Sequence, residues 1–244
     1  MRTRFHQGLD ELKEKLLRMG GMAESAVERA VQAYTRRDLQ LARMVLSDEA
    51  AINTIEREID ELALDLLAMQ QPMAIDLRFI TAVMKINADL ERVGDQAVNI
   101  AERAIDSAGL PFVELPVDIP RMAVTATGMV RDALQSFIDA KAETAEALLK
   151  QDDIVDDMNR EIARAMLDRM TQDPQVTRQA MNALLIGRNL ERVADHATNI
   201  AEDVIFWVRG ADVRHQGSAS LPRELNSRDT ENSKDRPRRD TAKS

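Results

Sequence analysis

Residues 90–102 read LERVGDQAVNIAE and residues 190–202 read LERVADHATNIAE, so ten of thirteen positions agree at an offset of 100. Farther upstream an offset of 103 lays IEREI (55–59) on MNREI (158–162), and Val27, Ala30 and Tyr34 on Val130, Ala133 and Phe137. The three-residue difference falls around Pro72 and Pro174, where a loop can absorb it. Self-similarity at this period means that one structural unit is built twice. The expected division is a first unit over 1–107, a linker over 108–120, a second unit over 121–215 and a disordered tail over 216–244.

The units read as helical. Apolar residues recur at spacings of three and four, as in Val27, Val31 and Tyr34, or Ile52, Ile55, Ile59, Leu62 and Leu66. That spacing makes an apolar stripe on a helix and not the alternation of a strand. Ala, Leu, Glu, Arg, Met and Gln, the strong helix formers, dominate between the few prolines. The pattern predicts six long helices, near 3–36, 38–69, 72–107, 121–140, 142–171 and 175–209. Asp38 is placed to cap the second, and a bend is expected in the first at Gly20–Gly21. The fold class is therefore all-α: two similar three-helix bundles of long antiparallel helices, related by internal pseudo-twofold symmetry. The stretch SAGLPFVELPVDIP is the Pro-rich joint between them. The tail 216–244 has almost no apolar residues to offset its ordering entropy. It holds seven Lys/Arg and five Asp/Glu, so it is +2 while 1–215 carries -11.

What the repeat retains is informative. Between 28–46 and 131–149 only four of nineteen positions are identical, which is what packing alone requires, since cores tolerate apolar swaps of similar volume. In the 90–102 motif the retained residues are polar: Glu91, Arg92, Asp95, Asn99 and Glu102, matched by Glu191, Arg192, Asp195, Asn199 and Glu202. At 100° per residue these fall on one stripe, opposite Leu90, Val93, Ala97, Ile100 and Ala101. Glu91 and Asp95 are like charges at i, i+4, an arrangement that costs a few tenths of a kcal/mol unless a cation sits between them. Arg92 supplies part of such a charge; a hard metal ion is the other candidate. The preceding helix of each unit offers matching ligands, Glu49 with Asn53 and Asp152 with Asp156. An all-oxygen set suits Mg, Mn, Ca or Fe.

Several classes are excluded. The chain has no cysteine, hence no disulfide framework, thiolate metal site or cysteine nucleophile. A net charge of -9 with 3% aromatics lacks the basic surface and stacking platforms of a nucleic-acid binder. No signal peptide and no membrane span are visible, so a soluble cytoplasmic protein is expected. A dimetal enzyme in a helical bundle usually carries Glu-x-x-His, which neither motif contains; HExxH, the P-loop and G-x-S-x-G are also missing. His196 follows Asp195, but Gln96 stands at its counterpart, so it is read as a neighbour of the site. A metal-free scaffold, with the stripe as a salt-bridge network around Arg92 and Arg192, is the plainest alternative.

With both motif copies, Gly20-Gly21-Met22, the QQPMAIDLR turn at 70–78 and FWVRGADVRH at 206–215, the chain resembles the PhoU family. That resemblance implies paired three-helix bundles carrying E(D)xxxD motifs that bind multinuclear metal clusters on the surface of each bundle. The metals would be divalent or trivalent ions held by oxygen, with Fe, Zn, Mn and Mg all open. The metal ligands carried over are Glu91 with Asp95, Glu191 with Asp195, Glu49 with Asn53, and Asp152 with Asp156. Asn53 departs from the carboxylate pattern, so the first site is expected to be the weaker. The resemblance further implies a non-enzymatic negative regulator of the phosphate-starvation response. Such a protein links a phosphate ABC transporter to a sensor histidine kinase, is commonly a homodimer, and meets the membrane only through those partners.

Overall fold

The computed structural model describes residues 2–70 and 72–210. The expected tail 216–244, and the end of the expected second unit over 211–215, lie outside the described residues. Seven α-helices follow in order: α1 (Arg2–Arg36), α2 (Leu39–Gln70), α3 (Ala74–Ala108), α4 (Ile119–Asp139), α5 (Ala142–Leu149), α6 (Asp152–Gln172) and α7 (Thr177–Arg209), with a 3-10 turn at Pro174–Val176. No strand occurs among the described residues. The all-α expectation and the pair of three-helix bundles hold.

The helix boundaries follow from local chemistry. Asp38 caps α2 as expected, its Oδ1 accepting from the backbone N–H groups of Gln40 at 2.9 Å and Leu41 at 3.0 Å. Asp118 does the same for α4, accepting from Arg121 N–H, and Pro120 sits in the first turn where its missing N–H is harmless. That pair starts α4 two residues before the expected 121. The first turn of each half ends on a left-handed non-glycine residue, Arg37 (φ 56°) and Ala140 (φ 53°), which are repeat partners at the offset of 103. The same strained turn is thus built twice.

One expectation needs correction. The fifth helix is not continuous over 142–171 but breaks at Lys150–Gln151 into α5 and α6. Asp152 and Asp153 then occupy the first turn of α6, where carboxylates favour the positive end of a helix dipole. Helix α1 runs uninterrupted through Gly20–Gly21. Gly20 serves packing: a Cβ there would lie 2.2 Å from Leu134 Cδ1 of α4.

Helices α1, α2 and α3 pack together, as do α4, α5, α6 and α7, and α3 runs against α7 while α1 meets α4. Leu12, Leu16, Ile59, Ile80, Ile86 and Leu90 fill the first bundle; Met122, Met129, Phe137, Leu148 and Ile186 fill the second. The described residues form one contiguous unit, because the α3–α7 seam is as well packed as the bundles. The single Trp lies on this seam: Trp207 of α7 meets Phe79 of α3 at 5.4 Å and Phe137 of α4 at 5.0 Å between ring centroids.

Candidate metal centres

Each motif lies in the middle of the central helix of its half, α3 or α7, so its backbone is held by turns on both sides. The pattern of burial is the same, residue for residue, over 91–101 and 191–201. Val93, Ala97, Ile100 and Ala101 are fully buried with their counterparts, while Glu91, Asp95, Glu191 and Asp195 are half-buried at the bundle surface. The opposed faces read from the sequence are therefore present in both halves.

The neighbouring helix supplies the second set of carboxylates. In the first half α2 approaches α3 closely at Gly94, where a Cβ would lie 3.1 Å from Ile52 Cδ1. One turn before Glu91, Asn87 Nδ2 donates to the backbone carbonyl of Glu56 at 3.0 Å and to Asp60 Oδ1 at 3.0 Å, tying the two helices in register. Burial pushes the Glu91 carboxyl above its ordinary value. The charges of Asp95 and Glu56 add to the rise, Arg92 opposes it and Glu49 contributes last. Glu49, Glu56, Glu91 and Asp95 thus form one negative group.

Glu56 was absent from the sequence-derived ligands. The signal was available: it lies three residues after Asn53 and seven after Glu49, on the same stripe of α2. Its repeat partner is Asn159, just as Asp156 is the partner of Asn53. The carboxylate and the amide have exchanged places between the halves, so each half keeps four carboxylates. Asn53 is half-buried beside the group, and its backbone carbonyl accepts from Arg57 Nε at 3.1 Å.

In the second half the group is Asp152, Asp156, Glu191 and Asp195. Burial raises all three of Asp152, Glu191 and Asp195 above their usual carboxylate values. For Asp152 the next causes are the charges of Asp195 and Asp156, for Glu191 that of Asp195, and for Asp195 that of Asp156. Two arginines not anticipated from sequence partly compensate. Arg188 Nη1 lies 2.5 Å from Glu191 Oε1, and Arg160 Nη1 lies 3.5 Å from Asp156 Oδ2. The other oxygen of Glu191, Oε2, is buried with no hydrogen-bond partner. An orphaned carboxylate oxygen inside an acidic group is the kind of atom a cation satisfies. Among the described residues, no three Asp, Glu or His side chains are already arranged as a metal site. The donor set fits a hard cation by chemistry, through all-oxygen ligands, mutual repulsion and one unsatisfied oxygen.

The remaining residues of the stripe are dispersed. Arg92 and Arg192 are exposed and form no salt bridge among the described residues; they act on Glu91 and Asp195 through space. Glu102 is exposed and pairs with Arg103 at 3.6 Å, away from the carboxylate group. Asn99 and Glu202 are half-buried. Asn199 turns to the seam instead, where its Nδ2 donates to Asp89 Oδ1 at 3.3 Å. There too lies His196, 7% exposed, with Nδ1 2.9 Å from the same Asp89 oxygen. His196 is thus a seam residue linking α3 to α7. Beside it Lys85 Nζ reaches the buried Asp203 at 3.4 Å.

Comparison with known proteins agrees with this duplicated architecture. The PhoU domain matches twice, over residues 16–104 and 119–204. The phosphate-specific transport system accessory protein PhoU homologue of Pseudomonas putida is 38% identical over 224 residues, 91% of this chain and 87% of that protein. The phosphate-specific transport system accessory protein PhoU of Serratia marcescens is 30% identical over 94% of this chain and 95% of its own length. Among solved structures, PhoU from Pseudomonas aeruginosa superposes with a TM-score of 0.80 at 37% identity, covering 85% of this chain and all of that one. The phosphate transport system regulatory protein PhoU from Streptococcus pneumoniae gives 0.79 at 26% identity, over 86% of this chain and 99% of that one. Two helical bundles, each matched by the PhoU domain, define a duplicated all-α fold. The chain belongs to the PhoU family.

Proposed function

We propose that this chain is a non-enzymatic regulator of phosphate transport, an adaptor between a phosphate ABC transporter and a sensor histidine kinase. In this reading it restrains uptake and starvation signalling when phosphate is plentiful. The observation that carries the reading is the double match to the family over nearly the whole described chain, to relatives named as accessory proteins of the phosphate-specific transport system. Among the described residues no helix is long and apolar enough to cross a membrane, so contact with the membrane would run through the transporter and the kinase. A cytoplasmic location and a homodimer belong to the same proposal.

The carboxylate groups are its metal centres: Glu49, Glu56, Glu91 and Asp95 in the first half, Asp152, Asp156, Glu191 and Asp195 in the second. A bound ion would supply positive charge and fix α2 against α3, and α6 against α7. Shared among the carboxylates, it would offset the repulsion between them. The scaffold alternative has one observation in its favour, the Arg188–Glu191 and Arg160–Asp156 pairs. The buried, unpaired Glu191 Oε2 counts against it.

Two measurements test the proposal. Tag-free protein should carry Fe, Zn, Mn or Mg by elemental analysis, and the Glu91→Ala, Asp95→Ala, Glu191→Ala, Asp195→Ala variant should carry none. Equal metal in both samples removes the site assignment. The purified chain should also bind its own organism's phosphate transporter ATPase subunit and the kinase's cytoplasmic portion; binding to neither removes the adaptor reading.

A further inference from the structure

The two carboxylate groups differ in what already neutralises them. In the second half Arg188 lies one turn before Glu191 on α7, its Nη1 2.5 Å from Glu191 Oε1. It also acts through space on Asp195. Its repeat partner in the first half is Ala88, which has no charge to offer. A second pair of partners, Arg57 and Arg160, shares one geometry and differs in what it meets. Each folds back over the preceding turn of its own helix: Arg160 finds the carboxylates of Asp156 and Asp157 at 3.5 and 2.6 Å, while Arg57 finds the Asn53 backbone carbonyl at 3.1 Å and Thr54 Oγ1 at 3.5 Å. Among the described residues, Glu49, Glu56, Glu91 and Asp95 form no salt bridge. In the first half the opposing charge on Glu91 is the through-space one of Arg92, whereas in the second Glu191 and Asp156 each already have a guanidinium in contact.

We propose that the halves are unequal cation sites: the first fills before the second, and Arg188 is a built-in counter-cation that competes with a metal at Glu191. The inference rests on the metal-centre reading above. It reverses the order expected from Asn53, because Glu56 restores the carboxylate that Asn53 lacks. The reason is electrostatic. An ion at the free Oε2 of Glu191 would sit beside the guanidinium on Oε1, and repulsion between the two positive charges weakens its binding until Arg188 leaves. Arg188 is 58% exposed on its side chain, so it can swing into solvent when displaced. The consequence for regulation is a graded response: low metal loads the first half alone, and higher metal is needed to draw α6 and α7 together around the second.

Calorimetric titration of the tag-free, metal-stripped full chain with Mn2+ tests this. Two phases of different affinity are expected. Glu91→Gln with Asp95→Asn should remove the tighter phase, and Glu191→Gln with Asp195→Asn the weaker. Arg188→Ala should tighten the weaker phase by about two- to fivefold, the size expected for releasing one partly exposed ion pair. Ala88→Arg should weaken the tighter phase by a similar factor. Circular dichroism on each variant confirms that the helices are intact. Two equal phases, loss of the tighter phase with Glu191 and Asp195, or no change in Arg188→Ala would overturn the inequality while leaving the metal centres standing. No Mn2+ bound by wild type or by Arg188→Ala would overturn both.

Discussion

Asp195 shows how a single side chain can be held in an unfavourable state for a purpose. Burial and the neighbouring Asp156 raise its pKa in the fold, with Arg188, His196 and Arg192 only partly opposing them. An acid whose pKa is raised on folding binds its proton more tightly in the folded chain than in the unfolded one. Its protonated form thus favours the fold at low pH, and that advantage is lost as pH rises from about 4, the unfolded value, through the raised folded value. Asp195→Asn removes the titration. In metal-free buffer with chelator, the variant should be about 0.5–1 kcal/mol more stable than wild type at neutral pH and little different near pH 4. Urea unfolding at the two pH values measures this; a variant less stable than wild type at neutral pH would contradict it. Some residue roles were legible before the structure. Glu91, Asp95, Glu191 and Asp195 stood out because polar identity retained across a repeat has no packing explanation. Glu56, Arg160 and Arg188 did not, since each differs from or acts differently to its repeat partner, and only the packing of neighbouring helices reveals what it faces.

At the scale of helices, the site depends on how closely α2 can approach α3. Gly94 makes that approach possible, with Ile52 of α2 lodged where a side chain would be. Gly94→Leu should push the two helices apart and destabilise the chain by about 1–3 kcal/mol, as overpacking of a close contact does. Because the same displacement separates Glu49 and Glu56 from Glu91 and Asp95, the tighter Mn2+ phase should weaken with it. Urea unfolding and calorimetry on the one variant check both effects; unchanged stability would mean that Ile52 moves aside freely. Helix existence was readable because the 3.6-residue period runs through long segments without Pro or Gly. The break at Lys150–Gln151 was not, because no breaker residue marks it. It arises where Asp152 and Asp153 favour a fresh helix start, a preference that competes with continuation on nearly equal terms. At Gly20–Gly21 the helix continues, and Gly20 leaves room for the tip of Leu134 from α4.

For the whole molecule, the repeat revealed two similar halves but not how they join. Asn199 apart, the residues of the join are not retained in the repeat: Asp89 with His196 and Asn199, Lys85 with Asp203, and the Phe79–Phe137–Trp207 cluster all pair unlike positions of the two copies. A pseudo-twofold assembly needs such contacts at its centre, and self-comparison of the sequence cannot find them. The seam fixes α3 against α7, so a metal that tightens one half acts on an element packed against the other. This is the physical basis for treating both carboxylate groups as parts of one regulator. The measurement that bears most directly on that claim is alkaline phosphatase activity in phosphate-rich medium after deletion of the gene. Activity should rise in the deletion strain and return to its low level with the wild-type chain. It should stay high with the chain carrying Ala at Glu91, Asp95, Glu191 and Asp195, provided that chain accumulates to the wild-type level. Phosphatase that stays repressed in the deletion strain would contradict the assignment of this protein to the restraint of the phosphate response.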